Sequence, residues 1–376
     1  MNHSSCFTAE DGSVSRTQSI ISVNVNMALL VLASLCNISA KMILFRRALR
    51  GKIMAPFMIN LTAISLVQST FGYTLTLGIG SVERSSKGYF LCRWVAFTDL
   101  FSQCAYSFTL CAMNVVSKLA SDRCFLGASQ QITKKSKGIF FTASWLCSIA
   151  FSSILLGEES LSVPSASKRT CHLDWASQET HVFFFNLAVI LVFFLLPLSI
   201  CSTIQYFCSR IWKNSRNIAD RTRRRGLAYR RKSNRMVIAL TLCFFVSQLP
   251  LCMANIITMT TGCYSYQFQT AFILELLAKS SAYQAPLIYA FLNASYRNTL
   301  KQILMGSHAA QTRPGARPVG NNPREGMAAT KNCQQGRRPH MLNNKVDQSP
   351  KATHSADEQL NGMEETPNTP MSPSST

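Results

Sequence analysis

Lys279 stands inside an apolar run, Phe272-Ile-Leu-Glu-Leu-Leu-Ala-Lys-Ser-Ser-Ala-Tyr-Gln-Ala-Pro-Leu-Ile-Tyr289, with Glu275 four residues before it. Read as a helix over 268–292, the run puts the amine roughly 15–18 Å from either end. That is too deep for its stem to carry the charge to a headgroup layer. The spacing places Glu275 one turn away on the same face. A neutral buried amine is a nucleophile for a carbonyl group and forms an imine with loss of water. A protonated imine is a buried cation, which needs an anion beside it. Glu275 is one candidate for that anion, and Asp99, in another apolar run, is the second. The simpler reading is a buried ion pair that braces one helix, and such pairs are weak stabilisers.

The elements that position these groups are spans of a membrane protein. Of the 376 residues 47% are hydrophobic and only 15% charged. Long apolar runs alternate with short basic ones. The net charge of +21 would suit nucleic acid, but the basic residues flank apolar runs or lie in the tail, so topology accounts for them and no nucleic-acid partner is expected. Among the 14 cysteines, Cys36, Cys104, Cys111, Cys147, Cys201 and Cys243 lie within apolar runs, where a free thiol behaves as a small hydrophobe. No CxxC pair or His/Cys cluster has metal-site spacing. The polar start of the chain lacks a cleavable signal pattern, so the first apolar run serves as the first span.

Seven spans are expected, at about 19–45, 54–80, 89–119, 138–157, 180–206, 236–260 and 268–292. Arg46, Arg47, Arg50 and Lys52 follow the first and place that loop inside, hence the N-terminus outside and the C-terminus inside. Asn2 begins a glycosylation sequon in the outer tail, residues 1–18. The stretch 213–235, the most basic in the chain, reads as a cytoplasmic loop. Pro197 and Pro250 fall inside the fifth and sixth spans, where a neighbour must re-satisfy the freed carbonyl. Residues 294–304 read as a short amphipathic helix lying on membrane lipid. Residues 305–376, rich in Pro, Ser, Thr, Asn and Gln, read as a disordered cytoplasmic tail. The fold class is therefore an all-α membrane protein, a seven-helix bundle over 19–304.

Over those residues the chain resembles the rhodopsin-like seven-transmembrane G-protein-coupled receptors, and within them an opsin, of a divergent invertebrate type. Ala278-Lys279-Ser280-Ser281-Ala282, followed by Pro286 and Leu287-Ile288-Tyr289, carries the likeness. Opsins hold their retinal-attachment Lys at that distance before an Asn-Pro-x-x-Tyr motif. Tyr289 to Tyr296, Asn37 to Asn60, Pro197, and Pro250 with Arg235-Met236-Val237 match further anchors. There are departures. Ala285 replaces the Asn before Pro286, Ser247-Gln248-Leu249-Pro250 lacks the usual Trp, and Ser65 replaces the second-helix Asp. The Asp-Arg-Tyr motif has two candidate sites. Ser121-Asp122-Arg123-Cys124 fits locally, whereas Ser117-Lys118 fits better the distances from Cys92 and to Trp145. Arg230 stands where an acid would lock the motif's Arg.

The resemblance implies a photoreceptor, not an enzyme, at the plasma membrane. It would bind retinal (11-cis or all-trans) as a protonated Schiff base on Lys279 and signal to a heterotrimeric G protein. The usual counter-ion places hold Val95, beside Ala96, and Ser165. Glu275 is then the preferred counter-ion and Asp99 the second candidate, with a bound chloride serving if Glu275 is protonated. The resemblance also implies a Cys92–Cys171 disulfide, plausible in an oxidising outer compartment. Lys118, Arg123 and Tyr289 would serve G-protein coupling. Thr366, Thr369, Ser372, Ser374 and Ser375 would recruit an arrestin-like protein once phosphorylated. Two other readings are a non-signalling retinal photoisomerase and an amine-type receptor in which Asp99 binds a diffusible ligand.

Overall fold

The structure is a computed structural model that describes residues 16–46, 53–73, 86–127, 134–164, 171–214, 220–264 and 268–304. Asn2, Ser165 and the tail hydroxyls lie outside the described residues. The described chain is helical but for one short hairpin, and it follows the expected order of spans. The first span is Arg16–Leu44. The second is Ala55–Val67, begun by Pro56, whose missing N–H costs nothing in a first turn; it continues as a π-helical turn, Gln68–Tyr73. The third, Ser86–Leu126, is longer than the run 89–119 suggested. At about 1.5 Å per residue its 41 residues reach roughly 60 Å, twice the hydrocarbon thickness. It stops at Gly127, whose φ of 70° suits a residue without a Cβ. The fourth is Lys134–Ser152, extended by a short turn, Ile154–Gly157.

Strands β1 (Ser162–Pro164) and β2 (Cys171–Leu173) then pair antiparallel, with Pro164 opposite Cys171. The fifth span is Thr180–Val189, a π turn Ile190–Leu195, and Leu196–Asn214. The sixth, Arg221–Thr261, departs most from expectation. Residues 221–235, read as loop from their charge, are helix. Asp220 caps them, its carboxylate accepting from the N–H groups of Thr222 (2.8 Å) and Arg223 (3.3 Å), and arginine is itself a good helix former. Gly262, at φ 69°, ends the helix. The seventh span is divided into Phe268–Lys279 and Ser281–Leu292, the break falling at Ser280. Asn293 then caps the inner helix Ala294–Leu304 by accepting from the N–H groups of Ser295 and Tyr296.

Among the described residues, four helices are long and apolar enough to cross a membrane: Ile20–Leu44, Ser136–Gly157, Thr180–Asn214 and Arg221–Thr261. The other three expected spans miss that measure for visible reasons. The second is described only to Tyr73, the third is lowered along its apolar run by Asp99, Gln103 and Asn114, and the seventh is cut at Ser280.

Large apolar side chains face outward along the spans, among them Leu35, Ile139, Val246 and Phe291. Phe57, Met58, Leu61, Leu110, Met113 and Tyr289 fill the interior. Lipid is as apolar as that interior, so helix association relies on close packing and on interhelical hydrogen bonds of about 0.6–2 kcal/mol each. Several hydrogen bonds repair the damage done by proline. Pro286 cannot bond the carbonyl of Ala282, and Asn37 of the first span donates to it at 2.7 Å. Pro197 leaves the carbonyl of Phe193 free, and Ser107 of the third span donates to it at 3.0 Å. Asn60 ties three spans, donating to Thr109 (2.9 Å) and accepting from the Trp145 indole (2.9 Å).

Candidate functional site

Lys279 is the last residue of the outer half of the seventh span. Its Nζ lies 3.5 Å from Oε2 of Glu275 one turn back, and the two side chains are 11% and 28% exposed. Helix periodicity alone makes this pair, as the sequence leads one to expect. Asp99 comes from the third span and lies within electrostatic reach of both Lys279 and Glu275. The structure thus gathers all three ionisable candidates. In a medium of low dielectric such a cluster is costly unless its charges nearly cancel.

Neutral groups brace the cluster. Gln68, the first residue of the π turn in the second span, donates from Nε2 to Oδ1 of Asp99 at 3.4 Å. Gly72, one turn on, lies beside that carboxylate, where a Cβ would meet Asp99 Oδ1 at an ordinary contact distance of 3.9 Å. Gln248 of the sixth span donates to the carbonyl of Ala278 at 3.2 Å, so the residue in the place of the family's Trp grips the backbone next to Lys279. Gln284 donates to the Ser280 hydroxyl at 3.0 Å across the helix break. Sequence reasoning missed Gln68 and Gln284. The available signal was an amide inside an apolar run, which seeks a partner on another helix.

The outer end of the third span is pinned. Cys92 and Cys171 form a disulfide, which ties strand β2 to that helix. Arg93 donates to the carbonyl of Leu156 at 3.1 Å and pairs with Glu159 at 3.3 Å. Trp175 and Leu173 pack behind the hairpin with Leu161 and Val182. Val95 and Ala96 are buried and apolar, so the usual third-helix place offers no counter-charge.

At the inner end neutral side chains link the third, fifth and sixth spans. Ser117 donates to Oδ1 of Asn234 on the sixth span at 2.5 Å. Asn234 donates to Gln205 of the fifth at 2.7 Å. Gln205 donates to Asn114 at 2.5 Å, and Asn114 donates to Thr241 at 3.0 Å. Lys118 instead pairs with Asp122 at 2.6 Å and lies over the Phe207 ring of the fifth span. Arg123 is in the last turn of the third. The third span therefore meets the sixth through Ser117 and Asn114, while Lys118 turns toward the fifth. Tyr289 is buried and packs edge-on against Tyr296 of the inner helix, their ring centroids 5.1 Å apart.

The pattern of the "7 transmembrane receptor (rhodopsin family)" matches residues 36–289. A tachykinin-like peptides receptor of Drosophila melanogaster is 26% identical over 264 residues, 66% of this chain and 50% of its own length. Opsin-VA of Rutilus rutilus is 26% identical over 254 residues, 65% of either chain. The chain therefore spans between half and two thirds of these two relatives. The crystal structure of squid rhodopsin superposes with a TM-score of 0.65 at 14% identity, covering 86% of this chain and 93% of that one, which shows the shared fold. By that family match and that fold, this chain belongs to the rhodopsin family of seven-transmembrane receptors.

Proposed function

We propose that the chain is an opsin-type photoreceptor that binds retinal through Lys279, faces outward with its N-terminus at the plasma membrane, and signals to a heterotrimeric G protein. One observation carries the reading: an amine in an apolar run flanked by Glu275 on its own helix and Asp99 on the third. That donor set fits retinal, since the amine supplies the attachment atom and the carboxylates supply the charge that a cationic nitrogen needs. When bound, retinal supplies light absorption and isomerisation. The rest is the work of the chain's own residues. Glu275 holds the counter-charge at one helical turn. Asp99 is the second acid, oriented by Gln68. Two carboxyl groups face one cation, so an electroneutral site keeps one of them protonated, and chloride would be recruited only if both were. Gln248 couples the Lys279 backbone to the sixth span just before its Pro250. Movement at Lys279 is thereby handed to the helix whose inner end bears Asn234 and the arginine-rich extension.

The Asp99 carboxylate also suits an amine ligand, and a peptide receptor stands among the relatives. Against an amine, Lys279 in the same cluster would repel it and already occupies the anions. The deciding experiment is expression with 11-cis retinal followed by a visible spectrum and borohydride trapping. A pigment that traps retinal on the peptide bearing Lys279 is expected. No pigment from well-expressed protein sinks the opsin reading and leaves the diffusible-ligand one. A pigment that drives no light-dependent nucleotide exchange on any G-protein class leaves the photoisomerase.

A further inference from the structure

We propose that Cys111 and Cys201 form a redox-modification site, at which a lipid-soluble hydroperoxide converts two thiols into a reversible disulfide joining the third and fifth spans. The two sulfurs lie 3.7 Å apart, in contact across the seam between these helices. A disulfide needs about 2.05 Å, so they must close by roughly 1.7 Å, within the range of side-chain rotation and a small helix shift. The seam is built to allow that shift. Pro197 removes one backbone rung four residues before Cys201, and a π turn precedes it. Exposure sets the roles of the two sulfurs. Cys111 points its S–H at the carbonyl of Pro197, 3.7 Å away, and keeps part of its surface exposed. Cys201 is buried, receives the amide N–H of Asn114 at 3.3 Å, and is thereby held against Cys111 and shielded from the oxidant.

The chemistry closes without further reagents. The Cys111 sulfur attacks the hydroperoxide, the O–O bond breaks, an alcohol leaves, and a sulfenic acid remains. The Cys201 sulfur attacks the sulfenic sulfur, the S–S bond forms, and the S–O bond breaks to release water with the thiol proton. Two thiols lose two electrons and two protons, and the hydroperoxide becomes alcohol and water. Burial restricts the site to neutral oxidants that dissolve in the bilayer. The bond would tether the fifth span to the third one turn above the Asn114–Gln205 contact.

The site stands independently of the retinal reading, and its test does not use light. The full chain in lipid membranes is treated with tert-butyl hydroperoxide, denatured, alkylated without reductant and mapped by mass spectrometry. Expected is a cross-link between Cys111 and Cys201, two hydrogens lighter than the free thiols, in more than half of the molecules and reversed by dithiothreitol. Cys111→Ser and Cys201→Ser each abolish it, while Cys104→Ser, on the same helix, leaves it intact. Alkylation of both cysteines as free thiols, separate oxidation to sulfinic acids, or a cross-link that runs through Cys104 would each overturn the proposal. The wild-type measurement stands even where a serine variant fails to fold.

Discussion

The middle of the bundle and its inner end meet the same problem, polar groups between helices in an apolar medium, and they meet it in opposite ways. At mid-depth the chain keeps an amine and two carboxylates together, the costlier choice. At the inner end the third, fifth and sixth spans are joined by Ser117, Asn114, Gln205, Asn234 and Thr241, and the contacts among these five are neutral. Under the proposed function, charge stands where attachment chemistry would need it and is absent where helices only have to be held and released. A neutral network can let go without leaving an unpaired ion in the membrane.

The largest effects are expected at mid-depth. Lys279→Ala removes the attachment atom, and no visible pigment should form with 11-cis retinal, whereas an unchanged spectrum would end the opsin reading. Glu275→Gln leaves the amine but removes the anion one turn away, so absorption at neutral pH should be lost or move to the near ultraviolet. Asp99→Asn should shift the band less, because Glu275 stays within 3.5 Å of the nitrogen. The reverse order of the two variants would make Asp99 the counter-ion. Chloride exchange distinguishes the remaining option: a band that does not move between chloride and a large inert anion rules out a bound halide.

A middling effect is expected at the inner end. Asn234→Ala removes a donor to Gln205 and the acceptor of Ser117, leaving buried polar groups unmatched. Such a loss costs about 1–3 kcal/mol, seen as a lower melting temperature in detergent, and dark nucleotide exchange should rise several-fold if the network holds the resting arrangement. Unchanged exchange with lowered stability would confine the network to structure.

Much of this contrast was legible from residue types. Lys279 betrayed itself because an ionisable group in an apolar run is rarely idle, and Glu275 because helical spacing leaves it no other place. Asp99 could be named but not placed, since its approach to Lys279 depends on how two helices pack. Gln68 and Gln248 were harder still. Each acts across a helix interface on a partner that no local pattern encodes, and the register of Gln68 depends on a π turn. The inner half of the sixth span was misread for a different reason. Charge marks where the membrane stops, yet the helix is set by the Asp220 cap and by arginine's propensity, and it runs on into water. The break at Ser280 was also hidden, because Pro286 advertises a fault nearly two turns later than where the chain divides.

The smallest expected effect sharpens the comparison most cheaply. At the inner end of the third span Lys118 and Asp122 form a close ion pair, and their side chains are 31% and 28% exposed. A half-exposed i, i+4 pair contributes about 0–1 kcal/mol and weakens as salt rises. Between 0.1 M and 1 M salt the screening length falls from about 10 Å to about 3 Å. Asp122→Asn should therefore lower the melting temperature slightly at low salt and not at all at high salt. Asn234→Ala should lower it equally at both, since no charge is involved in what it removes. If the two variants share one salt dependence, then charge still governs the inner end, and the division between a charged middle and a neutral inner latch does not hold.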